Sequence, residues 1–85
     1  MVFTVYVLYS PSSKRTYTGY TSDLENRLQS HNSLAIKGFT IRYRPWIVIY
    51  TEVFETKGLA LKREKELKTG KGREFVKSLL HKSNK

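Results

Sequence analysis

The sequence predicts an α+β fold, a three-stranded antiparallel sheet flanked by helices in the order β-β-α-β-α-α, and three observations carry that expectation. The first twenty residues hold two β-branched and aromatic runs separated by turn residues. A capping pattern, S-x-x-E, follows at Ser22–Glu25 and opens a helical stretch. The run WIVIYTEVF at 46–54 is the strongest strand signal in the chain, and two helical segments follow it. Three strands are too few to stand alone, so helices must cover the sheet.

Each element has a local reason. Val2–Tyr9 is β-branched and aromatic throughout, which suits a strand with both faces covered. Pro11, Ser12, Ser13 and Lys14 supply a turn, and Thr16–Thr21 resumes the strand character, so the first twenty residues form a hairpin. A four-residue loop at 11–14 pairs Ser10 with Arg15, Tyr6 with Gly19 and Leu8 with Tyr17. A five-residue loop would instead send the two phenols to opposite faces. Ser22 and Glu25 form a capping box for a helix from Asp23 to about Asn32. Residues 33–45, with Gly38 and Pro45, read as loop, and Trp46–Phe54 as the third strand with Trp46 as a core anchor. Thr56 caps a second helix reaching about Thr69, the TGKG stretch at 69–72 punctuates it, and Arg73–Lys82 forms a third.

The 85 residues make a single domain, 1–85, with a modest core. Sixteen Lys and Arg against seven Asp and Glu give a formal charge of +9, which concentrates polyanions at the surface and makes nucleic acid the first partner to consider. From Lys62 onward nine basic residues face three acidic ones, so the last two helices carry the main positive surface, with Lys62, Lys68, Lys71 and Arg73 as nucleic-acid contacts. Arg42 and Arg44, flanking Tyr43 in the long loop, are further candidates. The absence of Cys excludes a disulfide framework and a thiolate nucleophile or metal site. The N-terminus lacks the pattern of a signal peptide and no run approaches the ~20 apolar residues of a membrane span, so a soluble cytoplasmic protein is expected.

Several polar residues break the apolar pattern. On a wheel of about 100° per residue with Leu24 at zero, Leu28 falls at about 40°, His31 at about −20° and Arg27 at about −60°. An ionised guanidinium beside the apolar stripe is costly unless an acid or a bound anion pairs with it. The second helix repeats the anomaly with opposite sign: Glu64 lies between the positions of Ala60, Leu61 and Leu67, while Glu66 faces outward. In the hairpin, Tyr6 and Tyr17 share a face under the four-residue register, beside Gly19. Each group has a simpler explanation, as a snorkelling arginine, a hydrogen-bonded core histidine, a packed strand tyrosine, or an Arg27–Glu64 ion pair. Taken together, two phenols, a guanidinium, an imidazole and a carboxylate directed at one layer between sheet and helices indicate a site.

These residues also carry a resemblance. Val5-Tyr6-Val7 and Tyr17-Thr18-Gly19, then TSDLENRLQSHN and ALKREKELK, resemble the GIY-YIG nuclease domain. The likeness is strongest to small stand-alone members similar to the N-terminal domain of the excision-repair endonuclease subunit. It runs from Phe3 to about Leu80; Val5, Val7 and Thr18 depart from the motif, but the side chains expected to do chemistry remain.

The resemblance implies a DNA endonuclease, acting in repair or recombination, that uses one Mg²⁺ or Mn²⁺ ion and no small-molecule cofactor. Tyr6 and Tyr17 would be the motif tyrosines, Gly19 the structural glycine, Arg27 the phosphate-binding arginine, His31 its neighbour one turn on, and Glu64 the metal ligand. Asn84 is the candidate for the family's C-terminal asparagine. A phenol, with Tyr6 preferred, would take the attacking water's proton, its pKa lowered by metal or Arg27; His31 is the rival base, closer to neutrality by its ordinary pKa. Products would be 5′-phosphate and 3′-hydroxyl ends. The competing expectation is a catalytically silent nucleic-acid-binding domain of the same fold. The sequence leaves a protein partner or homodimer, and the form of the DNA, open.

Overall fold

The computed structural model describes residues 1–34 and 43–83; side chains at 33, 34 and 81–83 are outside that description. Arg42 and Asn84 therefore lie outside the described residues, as does the side chain of His81. β1 (Phe3–Ser10) and β2 (Arg15–Thr21) form a hairpin, followed by α1 (Leu24–Gln29), a π-helical turn at Ser30–Leu34, β3 (Ile47–Phe54), α2 (Lys57–Leu67) and α3 (Gly70–Ser83). The element order and the antiparallel sheet agree with the sequence prediction, and β1 lies between β2 and β3.

The hairpin has the four-residue loop: Ser10 pairs with Arg15, Tyr6 with Gly19 and Leu8 with Tyr17. Lys14 closes it at φ 57°, its N–H donating to the Ser10 carbonyl at 2.7 Å. A bulge in the β1–β3 pairing shifts the register between Val7, opposite Tyr50, and Leu8, opposite Val48.

Alternation along β1 divides the interior in two. Val5 and Val7 pack with Ala60, Leu67 and Val76 beneath α2 and α3. Tyr6 and Leu8 pack with Trp46 beneath Leu24 and Leu28 of α1. The molecule therefore has α1 on one face of the sheet and the α2–α3 pair on the other. This corrects the expectation of a single polar layer, because Arg27 and Glu64 belong to helices on opposite faces.

Two helix starts also differ from expectation. Asp23, not Ser22, caps α1: its Oδ1 accepts from Asn26 N at 3.1 Å, and Thr21 Oγ1 accepts from Asp23 N at 3.1 Å. A carboxylate is the stronger acceptor for first-turn N–H groups, which shifts the helix one residue on. α1 is also shorter than expected, since the chain underwinds into the π turn from Ser30. Thr56 caps α2 as expected, accepting from Leu59 N at 3.2 Å.

α3 begins at Gly70 rather than Arg73, with the Thr69 carbonyl accepting from Arg73 N at 2.8 Å. The glycines read as punctuation form its first turn. Gly72 lies where that turn meets the end of α2, and a Cβ there would overlap the Glu66 carbonyl oxygen and Leu67 Cα.

Candidate active site

Gly19 makes room for two phenols. A Cβ at position 19 would stand 2.7 Å from the Tyr6 hydroxyl oxygen, 2.9 Å from Tyr6 Cζ and 3.2 Å from Tyr17 Cε1. Tyr6 faces Gly19 across the ladder and Tyr17 faces Leu8, so the phenols are diagonal neighbours with ring centroids 6.4 Å apart. Tyr6 is 2% exposed, its ring anchored against Leu8 and Trp46.

Behind Tyr6 lies His31, 7% exposed, with Nε2 at 3.1 Å from the Tyr6 hydroxyl. The Tyr17 ring covers the imidazole at a centroid distance of 4.9 Å. The backbone around His31 is fixed from both sides. Arg44 donates from Nε to the His31 carbonyl at 2.6 Å and from Nη2 to the Ser30 carbonyl at 3.4 Å. Asn32 exchanges two bonds with the Trp46 backbone, accepting from its N–H at 2.6 Å and donating to its carbonyl at 3.0 Å. The π turn is thus laced to the lead-in of β3, and an underwound turn can hold its imidazole toward the sheet.

A cleft of about 430 Å³ opens beside β2, lined by Tyr6, Tyr17 and Gly19 from the sheet, Arg27 from α1, and Lys57 and Glu64 from α2. Helices on opposite faces meet there at the edge of the sheet, which is how the two helical charges share one opening. His31 is not among the lining residues, and reaches the cleft through Tyr6. Arg27 is exposed at the opening, so the expectation of a guanidinium facing inward beside the apolar stripe is corrected. The Glu64 side chain is 15% exposed, and its ion pair is with Lys68, Nζ to Oε1 at 3.6 Å. Among the described residues no ion pair joins Arg27 to Glu64.

Electrostatics separate the two candidate bases. Burial pushes the Tyr6 phenol above its ordinary pKa, as do Tyr17 and Glu64, while Arg27 opposes them. The expectation that Arg27 lowers this pKa holds in sign, but burial outweighs it. Burial likewise holds the His31 imidazole below its ordinary value, reinforced by Arg27 and then Arg44. At neutral pH the pair is a neutral phenol beside a neutral imidazole. In the tautomer with its proton on Nδ1, His31 accepts at Nε2 from the Tyr6 hydroxyl.

Among the described residues, no group of three or more His, Cys, Asp or Glu converges as a protein-only metal cage. Among the described residues Glu64 is the one carboxylate that lines the cleft. Mg²⁺ is commonly held by one or two carboxylates with waters and substrate phosphates, and this donor set fits that mode.

Four of the five predicted catalytic side chains line the cleft and the fifth stands behind it. The basic candidates scatter: Lys62 and Lys71 are exposed away from it, Lys68 pairs with Glu64, and Arg73 lies on α3. Arg44, expected to touch nucleic acid, is instead half-buried on backbone carbonyls. Sequence reasoning missed Asn32 and Lys57 as parts of the site, and gave Arg44 a different role. The H-N pair at 31–32 was visible, but its partner Trp46 sits 14 residues on and only the fold brings it near.

The fold and cleft together define a small α+β domain with a polar cleft of mixed charge at the edge of its sheet. The GIY-YIG catalytic domain matches residues 2–77, and the chain belongs to that family. The UPF0213 protein SSP2268 of Staphylococcus saprophyticus is 47% identical over 53 residues, and a UPF0213 protein of Staphylococcus haemolyticus is 42% identical over 53. These alignments cover 62% of this chain and 65% of each relative, so the chain spans just under two thirds of their length. The solution NMR structure of the UPF0213 protein BH0048 from Bacillus halodurans matches with a TM-score of 0.56 at 31% identity, covering 93% of this chain and 85% of that one.

Proposed function

We propose that the chain is a divalent-metal-dependent DNA endonuclease, with Tyr6, Tyr17, Arg27 and Glu64 as its catalytic residues. The observation that supports this best is the hydrogen-bonded Tyr6–His31 pair opening onto a cleft that also holds a guanidinium and a carboxylate. Glu64 would hold the metal, which supplies charge stabilisation for the phosphate and the leaving oxygen when bound.

Tyr6 transfers the proton. Its oxygen takes a proton from the attacking water while its own passes to Nε2 of His31, so the phenol need not exist as a free phenolate. This joins the two rival bases into one relay: the raised phenol pKa keeps the proton on Tyr6 at rest, and the lowered imidazole pKa keeps Nε2 of His31 unprotonated at neutral pH. Arg27, exposed at the opening, forks onto non-bridging phosphate oxygens. Tyr17, packed on both partners, orients the phosphate. The water oxygen bonds to phosphorus, the P–O3′ bond breaks, and the leaving oxygen takes a proton from solvent to give 3′-hydroxyl and 5′-phosphate ends.

The net charge of +9 favours DNA as the substrate, and a cysteine-free chain suits a reducing compartment such as the cytoplasm. No helix among the described residues is long and apolar enough to cross a membrane. The motif resemblance to the excision-repair endonuclease subunit supports a role in DNA repair or recombination. The test is cleavage of duplex, branched and single-stranded DNA by purified protein with Mg²⁺ or Mn²⁺. Metal-dependent scission is the expected outcome, and tight, salt-sensitive binding without scission on any substrate would favour a binding domain.

A further inference from the structure

A second groove, about 640 Å³, runs beside the first on the same edge of the sheet. Tyr17 lines both. Lys68, which reaches Glu64 of the cleft, lines the groove, so the two openings adjoin at both walls. The rims are basic, with Lys14 from the hairpin turn facing Lys68, Arg73 and Lys77 from the α2–α3 corner, and no carboxylate lines it among the described residues. Its floor is apolar, formed by Leu67, Val76 and Leu80.

We propose that this groove is a binding site for a single strand of nucleic acid leaving the cleft, which makes a junction between duplex and single strand the preferred substrate. The inference rests on the nuclease reading in taking the cleft as the point of scission. A four-cation rim without an acid complements a phosphate backbone. The apolar floor distinguishes one strand from two. A duplex presents phosphates outward and hides its bases, leaving the floor unused, whereas an unpaired strand can lay sugar and base faces on it while its phosphates meet the rims. A groove of this volume is of the size that encloses one small ligand, which is room for a nucleotide or two. Thr16 and Thr18 on the β2 wall supply hydroxyls for the same backbone.

Occupation would also free Glu64. A phosphate in the groove competes for Lys68, whose side chain is 55% exposed and pairs with Glu64 at 3.6 Å, and so releases the carboxylate toward the cleft.

The test is fluorescence anisotropy in EDTA, where no strand is cut, with a blunt duplex and the same duplex bearing a short single-stranded tail. The native chain should bind the tailed form roughly tenfold more tightly, the effect expected of charge-assisted contacts. The double variant Arg73→Gln, Lys77→Gln should erase that preference and lower the salt slope by about 0.7 for each lost phosphate contact. Both side chains are exposed, so circular dichroism should show an unchanged fold. Equal affinity for blunt and tailed DNA, or an unchanged preference in the double variant, overturns the proposal. Cleavage with Mg²⁺, measured separately, distinguishes the two failures: tail preference without cleavage sinks the nuclease reading alone, and cleavage without tail preference sinks the groove alone.

Discussion

The Tyr6 hydroxyl and Nε2 of His31 stand 3.1 Å apart across 25 residues of sequence, in a buried setting that shifts their proton affinities in opposite directions. A strand of the sheet delivers the phenol and an underwound turn delivers the imidazole. Removing the hydroxyl while keeping the ring isolates this contact. Tyr6→Phe should lower the cleavage rate by about 10²–10⁴, the usual contribution of general base catalysis. It should also cost about 1–3 kcal/mol in denaturant unfolding, because Nε2 is left buried without its partner. Cleavage within a few-fold of the parent would remove Tyr6 from the relay.

The lowered imidazole pKa has a pH signature. In the unfolded chain His31 titrates near about 6.5, while the folded chain resists protonation. The unfolded state then binds more protons between the two values, so stability is full above the unfolded pKa and falls as pH drops toward the folded one. Thermal melts from pH 7.5 to 5.5 should show a declining Tm, and His31→Asn should flatten that slope. An equal slope in the variant contradicts the assignment.

Arg44 acts on the same proton from outside the cleft. Its charge helps to depress His31, and its guanidinium holds the Ser30 and His31 carbonyls. Arg44→Gln should move the acid limb of the cleavage profile upward in pH. A lower rate at every pH with an unmoved limb would leave Arg44 a purely structural part.

Gly19→Ala places a methyl against the Tyr6 phenol, whose buried ring cannot swing aside. The expected cost is about 1–3 kcal/mol of stability, as for other overpacked sites, with cleavage lost. Native-like unfolding together with full activity would show that the phenols have room to spare.

Two neighbouring glycines should respond in opposite ways. Position 70 has nothing within 4 Å of an added Cβ, whereas position 72 meets the backbone of α2. Gly70→Ala should stabilise the fold by about 0.4–1 kcal/mol through the unfolded chain's entropy. Gly72→Ala should destabilise it, and matching urea midpoints for the two variants would contradict the close helix approach.

The sheet and the inward carboxylate of α2 were legible because each follows from local chemistry, while the hairpin register stayed open between a four-residue and a five-residue loop. Turn residues at 11–14 set the loop length, and that length places Tyr6 opposite Gly19. Glu64 was legible because α2 is a regular helix on which the wheel holds. α1 was less so, since the wheel assumes a constant turn and the chain underwinds after Gln29. The division of the helices between two faces was hidden because apolar residues on both sides of β1 are equally consistent with either arrangement. The start of α3 was misread because glycine marks a break in sequence and a close approach in space. Asn32 escaped notice, and Arg44 was assigned to nucleic acid rather than to the π turn, because their partners are backbone groups supplied only by the fold.

The most direct test is Glu64→Gln, measured for cleavage, DNA binding and stability together, beside an EDTA control. Its ion pair with Lys68 is partly exposed, and such pairs contribute about 0–1 kcal/mol, so the fold should be nearly unchanged. Metal-dependent cleavage should vanish, while DNA binding is kept or improved by the loss of a negative charge. Retained cleavage in Glu64→Gln would contradict the metal assignment and, with it, the catalytic scheme.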